Sequence, residues 1–426
     1  MDKIKNQKSF LYIRREEKQT ILAFAILTFI FAFLMPDRAT MLSDYRKIIT
    51  SQAYLIHDFV AVGGLAATFF NVAQHLLMAY ILLRRNNRGK FSGFEIAATG
   101  VFTALAFFGT NIINVIPIIL GVYFYSLRLK KSFSLYSTLS LFSCAMAPLV
   151  SYIMFVHGFS LLAAAAAYAV GILIGFVTVP LAEAFIRFHQ GYTLFNVGFT
   201  TGLVAMLITS FFGYFDLKID KVMILSKDEH YYLLAYVLLF IVFLFVLFVW
   251  QKDGKWWHEC RQIWRSNGRA PSDFYSVYGR AATLFNIILN VGFYLVLVLL
   301  LRFPLNGTII GGLLTVAGFS SFGMHPFNCF KISLGVLAAA LIAGRDLASQ
   351  QVISTLLFAN GLAPLGGAYG CLIGIIAGFI HFNLVNVVFS LHLGMSLYNN
   401  GFTSAFVAAV IVPLAEILLA DKWRQE

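Results

Sequence analysis

Long apolar runs alternate with short polar connections from one end of the chain to the other. In the first half they cover roughly residues 20–35, 58–83, 94–109, 111–127, 133–156, 160–186 and 192–213; in the second, 230–250, 280–302, 306–322, 325–342, 351–367, 368–390 and 396–420. A hydrocarbon core about 30 Å thick takes about 20 apolar residues per helix, so most of these runs predict transmembrane α-helices. The third and fourth of each half are shorter and meet at a glycine-centred break, Gly109-Thr110-Asn111 or Gly323-Met324-His325-Pro326. That pattern predicts a helical hairpin, re-entrant or barely spanning. Irregular backbone at membrane depth persists only where protein or a water-filled cavity satisfies it.

The two series are copies of one another. Gly171 to Ala205 aligns without a gap on Gly374 to Ala408, identical at 14 of 35 positions. Within it, the stretch Gly191 to Thr200, with Phe195, Asn196 and Gly198, matches Gly394 to Thr403, with Tyr398, Asn399 and Gly401. Asp58 and Asn71 match Asp273 and Asn286 at a shift of 215, and Phe108-Gly109 matches Phe322-Gly323. Anchors in the same order indicate a duplication, with halves of about 1–213 and 214–426 joined by the polar stretch Asp216 to Glu229. The expected fold is an all-α polytopic membrane protein of two repeats, each with about five spanning helices plus a glycine-broken hairpin.

Composition removes the soluble alternatives. Of 426 residues 60% are apolar and only 12% charged, and the mean hydropathy is +0.81; a soluble domain carries about twice that charge. The excess of 31 Lys and Arg over 19 Asp and Glu therefore does not point to nucleic acid, since no soluble domain remains to carry a basic groove. The first apolar run follows a basic start but ends in Pro36-Asp37-Arg38 without a small-residue cleavage site, and it reads as a retained helix. Four cysteines form no disulfide framework. With the N-terminus inside and each hairpin returning to its own side, the inner loops hold 22 basic residues and the outer loops 8, leaving Lys331 alone inside the apolar region. This bias makes the repeats inverted and both termini cytoplasmic.

Inverted repeats with broken helices are a transporter architecture that binds solute between the repeats. Candidate chemistry therefore falls first on the hairpin tips, where Asn111 and Asn114 pair with His325 and Asn328, and Lys331 follows one turn later. These residues would face a common cavity. A charge at a helix centre costs about 2.5 to 3.5 kcal/mol, so Lys331 reads as the group that neutralises an anion; a structural pair with Glu183 or a snorkelling side chain is the alternative. The second constellation is the repeated Asn-x-Gly-Phe-Thr, in which Asn196 and Asn399 offer amides and Thr200 and Thr403 hydroxyls. Its bland reading is close helix packing with asparagine as interhelical glue. His189 and His392 fall at segment ends, and Asp58 and Asp273 read as N-terminal caps. Trp256, Trp257 and Trp264 among basic residues suggest an amphipathic helix on the inner membrane surface. No Walker loop, His-Glu-x-x-His or Gly-x-Ser-x-Gly is present, so no enzyme activity and no cofactor or metal is expected.

The duplicated Asn-x-Gly-Phe-Thr segments resemble a bacterial membrane family, largely from Firmicutes, known only as a duplicated domain of unknown function; the resemblance implies a bacterial cytoplasmic membrane and no activity. Phe195 to Gly198 and His325 to Asn328 are similar to short motifs of urea transporters, which are duplicated, inverted and passive. The Gly109-Thr110-Asn111 tip is similar to the hairpin tips of sodium-coupled carboxylate transporters. The functional expectation is a secondary transporter of a small polar, anionic solute, coupled to Na⁺ or H⁺, with its site at the hairpin tips. A passive channel for a small neutral solute and a non-transporting scaffold are the alternatives. The expected partners are the bilayer and the solute, with homo-oligomerisation left open.

Overall fold

A computed structural model describes residues 2–53, 57–84, 91–215 and 223–419, with side chains from Lys18 onward. The basic loop 85–90, residues 216–222 of the joint, the basic side chains before Lys18 and the C-terminal Lys422 and Arg424 lie outside the described residues. The first half contains α1 (Asp2–Phe33), α2 (Met41–Thr50), α3 (Phe59–Arg84), α4 (Gly93–Leu105), α5 (Ile112–Arg128), α6 (Ser137–Ser143), α7 (Ala147–Phe155), α8 (Leu161–His189) and α9 (Asn196–Thr209). The second contains α10 (His230–Gln251), α11 (Trp256–Arg265), α12 (Phe274–Tyr278), α13 (Arg280–Leu300), α14 (Gly307–Phe319), α15 (Pro326–Ile342), α16 (Gln350–Phe358), α17 (Ala363–His392) and α18 (Asn399–Leu418). Among the described residues, seven helical stretches are long and apolar enough to cross a membrane. The bent pair Lys18–Phe33 and Arg38–Thr50, with its arms at 106°, makes an eighth if counted as one span. The protein is an all-α polytopic membrane protein.

Each half follows the same order of breaks. The kink at Gly64 in α3 recurs as Gly279 between α12 and α13. The 3₁₀ turn Cys144–Met146 between α6 and α7 recurs as Ala359–Leu362 between α16 and α17. The apolar runs 133–156 and 351–367 are thus not single straight helices: each is interrupted by a 3₁₀ turn followed by Pro148 or Pro364, whose missing N–H suits the first turn of a new helix. The hairpins are also opened out. From a shared tip, α4 packs against α14 of the other half, while α5 packs against α8 of its own; α14 and α15 do the same with α4 and α17. With 13 residues each, α4 and α14 are about 20 Å long, too short to cross the hydrocarbon alone.

These two short helices run antiparallel. The start of α4 at Gly93 meets Ser321, just past the end of α14, and Ser321 Oγ donates to Gly93 O at 2.8 Å. The start of α14 at Gly307 meets Phe107 O, just past the end of α4. At their crossing a Cβ on Gly100 would lie 2.9 Å from Gly318 Cα, so only glycine permits the approach. Two aspartates fasten the pair. Asp58 accepts from Val60 N of its own helix at 2.9 Å, from Ser226 N at 3.0 Å and Ser226 Oγ at 2.5 Å, and from Gly307 N of α14 at 3.1 Å. Asp273 accepts from Ser276 N at 2.9 Å and from Gly93 N of α4 at 2.8 Å. Each is an N-cap, and each also caps the short helix of the opposite half.

Lys18, counted by sequence among the basic residues of an inner loop, is buried. It lies 3.6 Å from Glu95 of α4 and donates to Leu83 O at 2.8 Å. Glu95 in turn closes a capping box with Ser92. Losing an N-cap costs about 0.5–2 kcal/mol, and leaving a buried donor unpaired adds about 1–3 kcal/mol. Asp58→Ala should therefore lower the thermal midpoint of the detergent-solubilised protein by more than Asp273→Ala, because Asp58 is fully buried and serves two segments besides its own helix. Equal midpoints for the two variants would contradict this assignment.

Candidate functional site

The hairpin tips are closed on themselves. Asn111 Oδ1 accepts from Ile113 N at 3.0 Å and Asn114 N at 3.2 Å, while Asn114 Oδ1 accepts from Asn111 N at 2.8 Å. Asn114 Nδ2 donates back to Gly109 O at 3.0 Å and to Ser151 Oγ at 2.9 Å. In the second tip Asn328 Oδ1 accepts from His325 N at 2.9 Å, and Asn328 Nδ2 donates to Gly323 O at 2.9 Å. From outside the tips, Asn71 Nδ2 donates to Ala106 O and Thr110 O, and Asn286 Nδ2 to Ser320 O and Met324 O, all at 2.8 or 2.9 Å. His325 is buried, with Nε2 3.1 Å from Ser266 O. The amides at the tips are spent on satisfying the backbone that the break exposes.

Lys331 is half-buried on α15, and its Nζ donates to Gly366 O at 2.7 Å. Glu183 is exposed on α8 and is not its partner. The stem of Lys331 fills the crossing with α17, where a Cβ on Gly374 would lie 2.8 Å from Lys331 Cβ. The matched Pro117 meets the matched Gly171 in the same way, so this position is a helix contact in both halves.

The large cavity lies elsewhere. It has a volume of about 1000 Å³ and is lined by both Asn-x-Gly segments, including Asn196, Gly198, Asn399 and Gly401. None of Asn111, Asn114, His325, Asn328 or Lys331 lines it. The lining follows α14 from Thr308 to Phe319 and beyond, about 20 Å, and reaches exposed Met223 at one end and exposed Pro271 at the other. The lining includes matched residues of both halves, and at three of these positions the first half presents Phe94, Val101 and Leu139 where the second presents Thr308, Thr315 and Thr355.

At the centre of one wall the N-termini of α9 and α18 touch. A Cβ on Gly198 would lie 2.9 Å from Gly401 Cα, and one on Gly401 3.0 Å from Gly198 Cα; any side chain there would part the helices. The loops leading in are strapped across the halves. Thr193 Oγ1 pairs with Ser404 Oγ at 2.8 Å and Ser396 Oγ with Thr201 Oγ1 at 3.3 Å, while Leu194 N donates to Gly361 O at 2.9 Å and Leu397 N to Ala145 O at 3.0 Å.

Asn196 and Asn399 are straps as well. Asn196 Oδ1 accepts from His189 Nε2 at 2.9 Å and Asn196 Nδ2 donates to Ala182 O at 2.9 Å; Asn399 does the same with His392 at 3.0 Å and Val385 O at 3.1 Å. His189 and His392 are thus buried anchors, not interfacial side chains. Thr200 and Thr403 are buried and donate to Asn196 O and Asn399 O in their own helices; they do not line the cavity. What the two helices offer is backbone. The first intrahelical bonds are those of Phe199 N and Phe402 N, so the N–H groups of 196–198 and 399–401, all in the cavity wall, have no acceptor within their helices.

Of the residues singled out from the sequence, Asn196 and Asn399 line the cavity with their amides bonded to protein partners, and the lining also contains Thr308, Thr315 and Thr355, which the sequence pattern did not single out. No three His, Cys, Asp or Glu side chains among the described residues are grouped as a metal site requires. The chain belongs to the family described as a protein of unknown function (DUF1576), whose model matches residues 37–214 and 252–417. No curated protein and no solved structure matches the chain.

The geometry separates two substitutions at one tip. Asn328→Leu strands Gly323 O and His325 N in the interior, and should destabilise the protein by about 2 kcal/mol or more in denaturant titrations. Lys331→Met keeps the packed stem and removes one hydrogen bond, and should cost about 1 kcal/mol or less. The reverse order would return the second tip to candidacy as a binding site.

Proposed function

We propose that the protein is a secondary transporter of a small organic anion, bound in the cavity where α9 and α18 begin. The observation that carries this reading is the meeting of two helix N-termini on one cavity wall. Each carries a partial charge of about +0.5, so together they approach one elementary charge without any Lys or Arg among the described residues of the lining. Discontinuous helices whose N-termini face anionic groups are a recurring transporter device. Phenylalanines along the rest of the cavity suit an apolar body attached to the anionic group. In this reading Lys331, His325 and the tip asparagines hold the scaffold, and the site shifts from the hairpin tips to the Asn-x-Gly segments.

The orientation of the halves belongs to the same proposal. Antiparallel packing of the matched helices α4 and α14 places their pseudo-twofold axis across the helices, which supports inverted repeats with cytoplasmic termini in a bacterial cytoplasmic membrane. A rocking of one half against the other would then open the cavity at Met223 and at Pro271 alternately, driven by a Na⁺ or proton gradient. A second reading, passive passage of a small neutral solute, is favoured by one observation: among the described residues no Lys or Arg lines the cavity, while the carboxylate Asp273 does.

Flux measurements separate these readings. In proteoliposomes, three- to five-carbon 2-oxo and 2-hydroxy carboxylates should enter saturably and respond to an imposed gradient, and Thr315→Phe, which narrows the cavity, should cut uptake while the protein stays monodisperse. Gradient-independent passage of the corresponding amides, with the carboxylates excluded, would establish the channel instead. Inversion has its own readout. A cysteine placed at Lys131 should react with impermeant thiol reagents only from inside, and one at Arg345 only from outside; labelling of both from one side would overturn it.

A further inference from the structure

One pair of polar side chains beside the cavity exists in the second half alone. His381 on α17 is fully buried, and its Nε2 lies 2.9 Å from Asn400 Oδ1. Asn400 is half-buried in the first turn of α18 and lines the cavity. The matched positions in the first half are Thr178, which bonds its own helix at Ile174 O, and Val197. Asn400 also differs from the motif asparagines in what its amide does. Asn196 and Asn399 use both the oxygen and the nitrogen on protein partners. In Asn400 only the oxygen is taken, and no group among the described residues accepts from its Nδ2.

The bond to His381 fixes which end of the amide is free. With Nε2 at hydrogen-bond distance from Oδ1, the histidine is the donor and the asparagine oxygen the acceptor. The NH₂ group is left as the unspent end of a side chain in the cavity wall. It stands beside the backbone N–H groups of 399–401 at the positive end of α18, so the donors there are of one kind: neutral N–H groups with no acceptor between them.

We propose that Asn400 is the solute-binding side chain of the cavity, donating from Nδ2 to a carboxylate or carbonyl oxygen docked at the start of α18, and that His381 is the positioning residue that keeps the amide turned. This inference rests on the transport reading above and names the group of the solute that the site recognises. A site built from donors rejects a ligand that lacks the matching acceptor, because its own groups are then left unpaired. The complementary class is therefore a small acid or amide whose oxygen end points at α18, with its carbon body against the apolar remainder of the lining.

The test uses full-length protein in proteoliposomes and the 2-oxo carboxylate that the wild type takes up best, with its amide as second probe. Asn400→Asp keeps the size and the bond from His381 but replaces the donor with an oxygen. Asn400→Val installs the residue found at the matched position 197. Both should raise KM for the carboxylate by about tenfold or more, as expected for a lost hydrogen bond to a charged group, with the maximal rate little changed. His381→Leu should raise KM less, and His381→Gln, whose amide can donate to the same oxygen, should recover most of it. An unchanged KM in folded Asn400→Asp would reduce Asn400 to a packing residue and leave the transport reading intact. A loss of maximal rate at constant KM in all four variants would mark the pair as structural. Absence of uptake of either probe by the wild type would overturn the transport reading and this assignment with it.

Discussion

A broken helix inside hydrocarbon must find partners for its exposed backbone, and this requirement organises the rest of the structure. An unpaired peptide group there costs several kcal/mol, and besides the kink at Gly64 or Gly279 each half contains three breaks: a hairpin tip, a 3₁₀ turn, and the loop before the last helix. Asparagine amides bridge the tips from within, through Asn114 and Asn328, and from without, through Asn71 and Asn286. The 3₁₀ turns and the terminal loops satisfy one another across the halves, Ala145 O with Leu397 N and Gly361 O with Leu194 N. Asp58 and Asp273 likewise cap the short helix of the other half. Each half closes its own tip, but its 3₁₀ turn, its terminal loop and the start of its short helix are completed by the other, so the two halves are obliged to fold around each other.

The same requirement leaves the cavity. Glycine at 198 and 401 lets the last helices meet at their N-termini, and the loop straps use up the side chains nearby. The first-turn N–H groups of both helices, which have no acceptor within their helices, are then left in the cavity wall. Positive potential reaches the cavity as backbone dipole instead of as a buried lysine. A buried unpaired charge would raise the desolvation cost of the empty state; dipoles from helix ends do not.

Much of this was legible in the sequence, for identifiable reasons. Hydrophobic run length located the helices, the repeated glycines located the breaks, and Asp58 and Asp273 were recognisable as caps because they precede apolar runs at matched positions. Three things were not legible. An asparagine that caps a broken helix and one that binds a solute are the same residue in the same setting, so Asn111, Asn114, Asn328, Asn196 and Asn399 could not be sorted before their partners were visible. The divergence of α4 from α5 has no sequence signal, since a hairpin and an open V need the same tip. Lys18 read as a loop residue because it adjoins a basic stretch; only the approach of Glu95 to it at 3.6 Å shows that the helix carries it into the interior. The prominence of Lys331 came from its being the one lysine left in an apolar run; in the structure its Nζ donates to Gly366 O.

The sequence match between the halves supplies what a single sequence otherwise lacks, because each half can be compared with the other. Positions kept identical, Asp58 and Asp273, Asn71 and Asn286, Asn114 and Asn328, Asn196 and Asn399, Gly198 and Gly401, all hold backbone or let helices approach. Positions that differ in polarity, Phe94 against Thr308, Val101 against Thr315, Leu139 against Thr355, Thr178 against His381 and Val197 against Asn400, line the cavity or stand directly behind its wall. The fold imposes the same demands on both copies, so residues that serve the fold have reason to stay alike. A solute without a twofold axis would be held no better in one orientation than in the other by two identical linings. The polarity differences at these matched positions, with the amide of Asn400 at the start of α18, would remove that degeneracy.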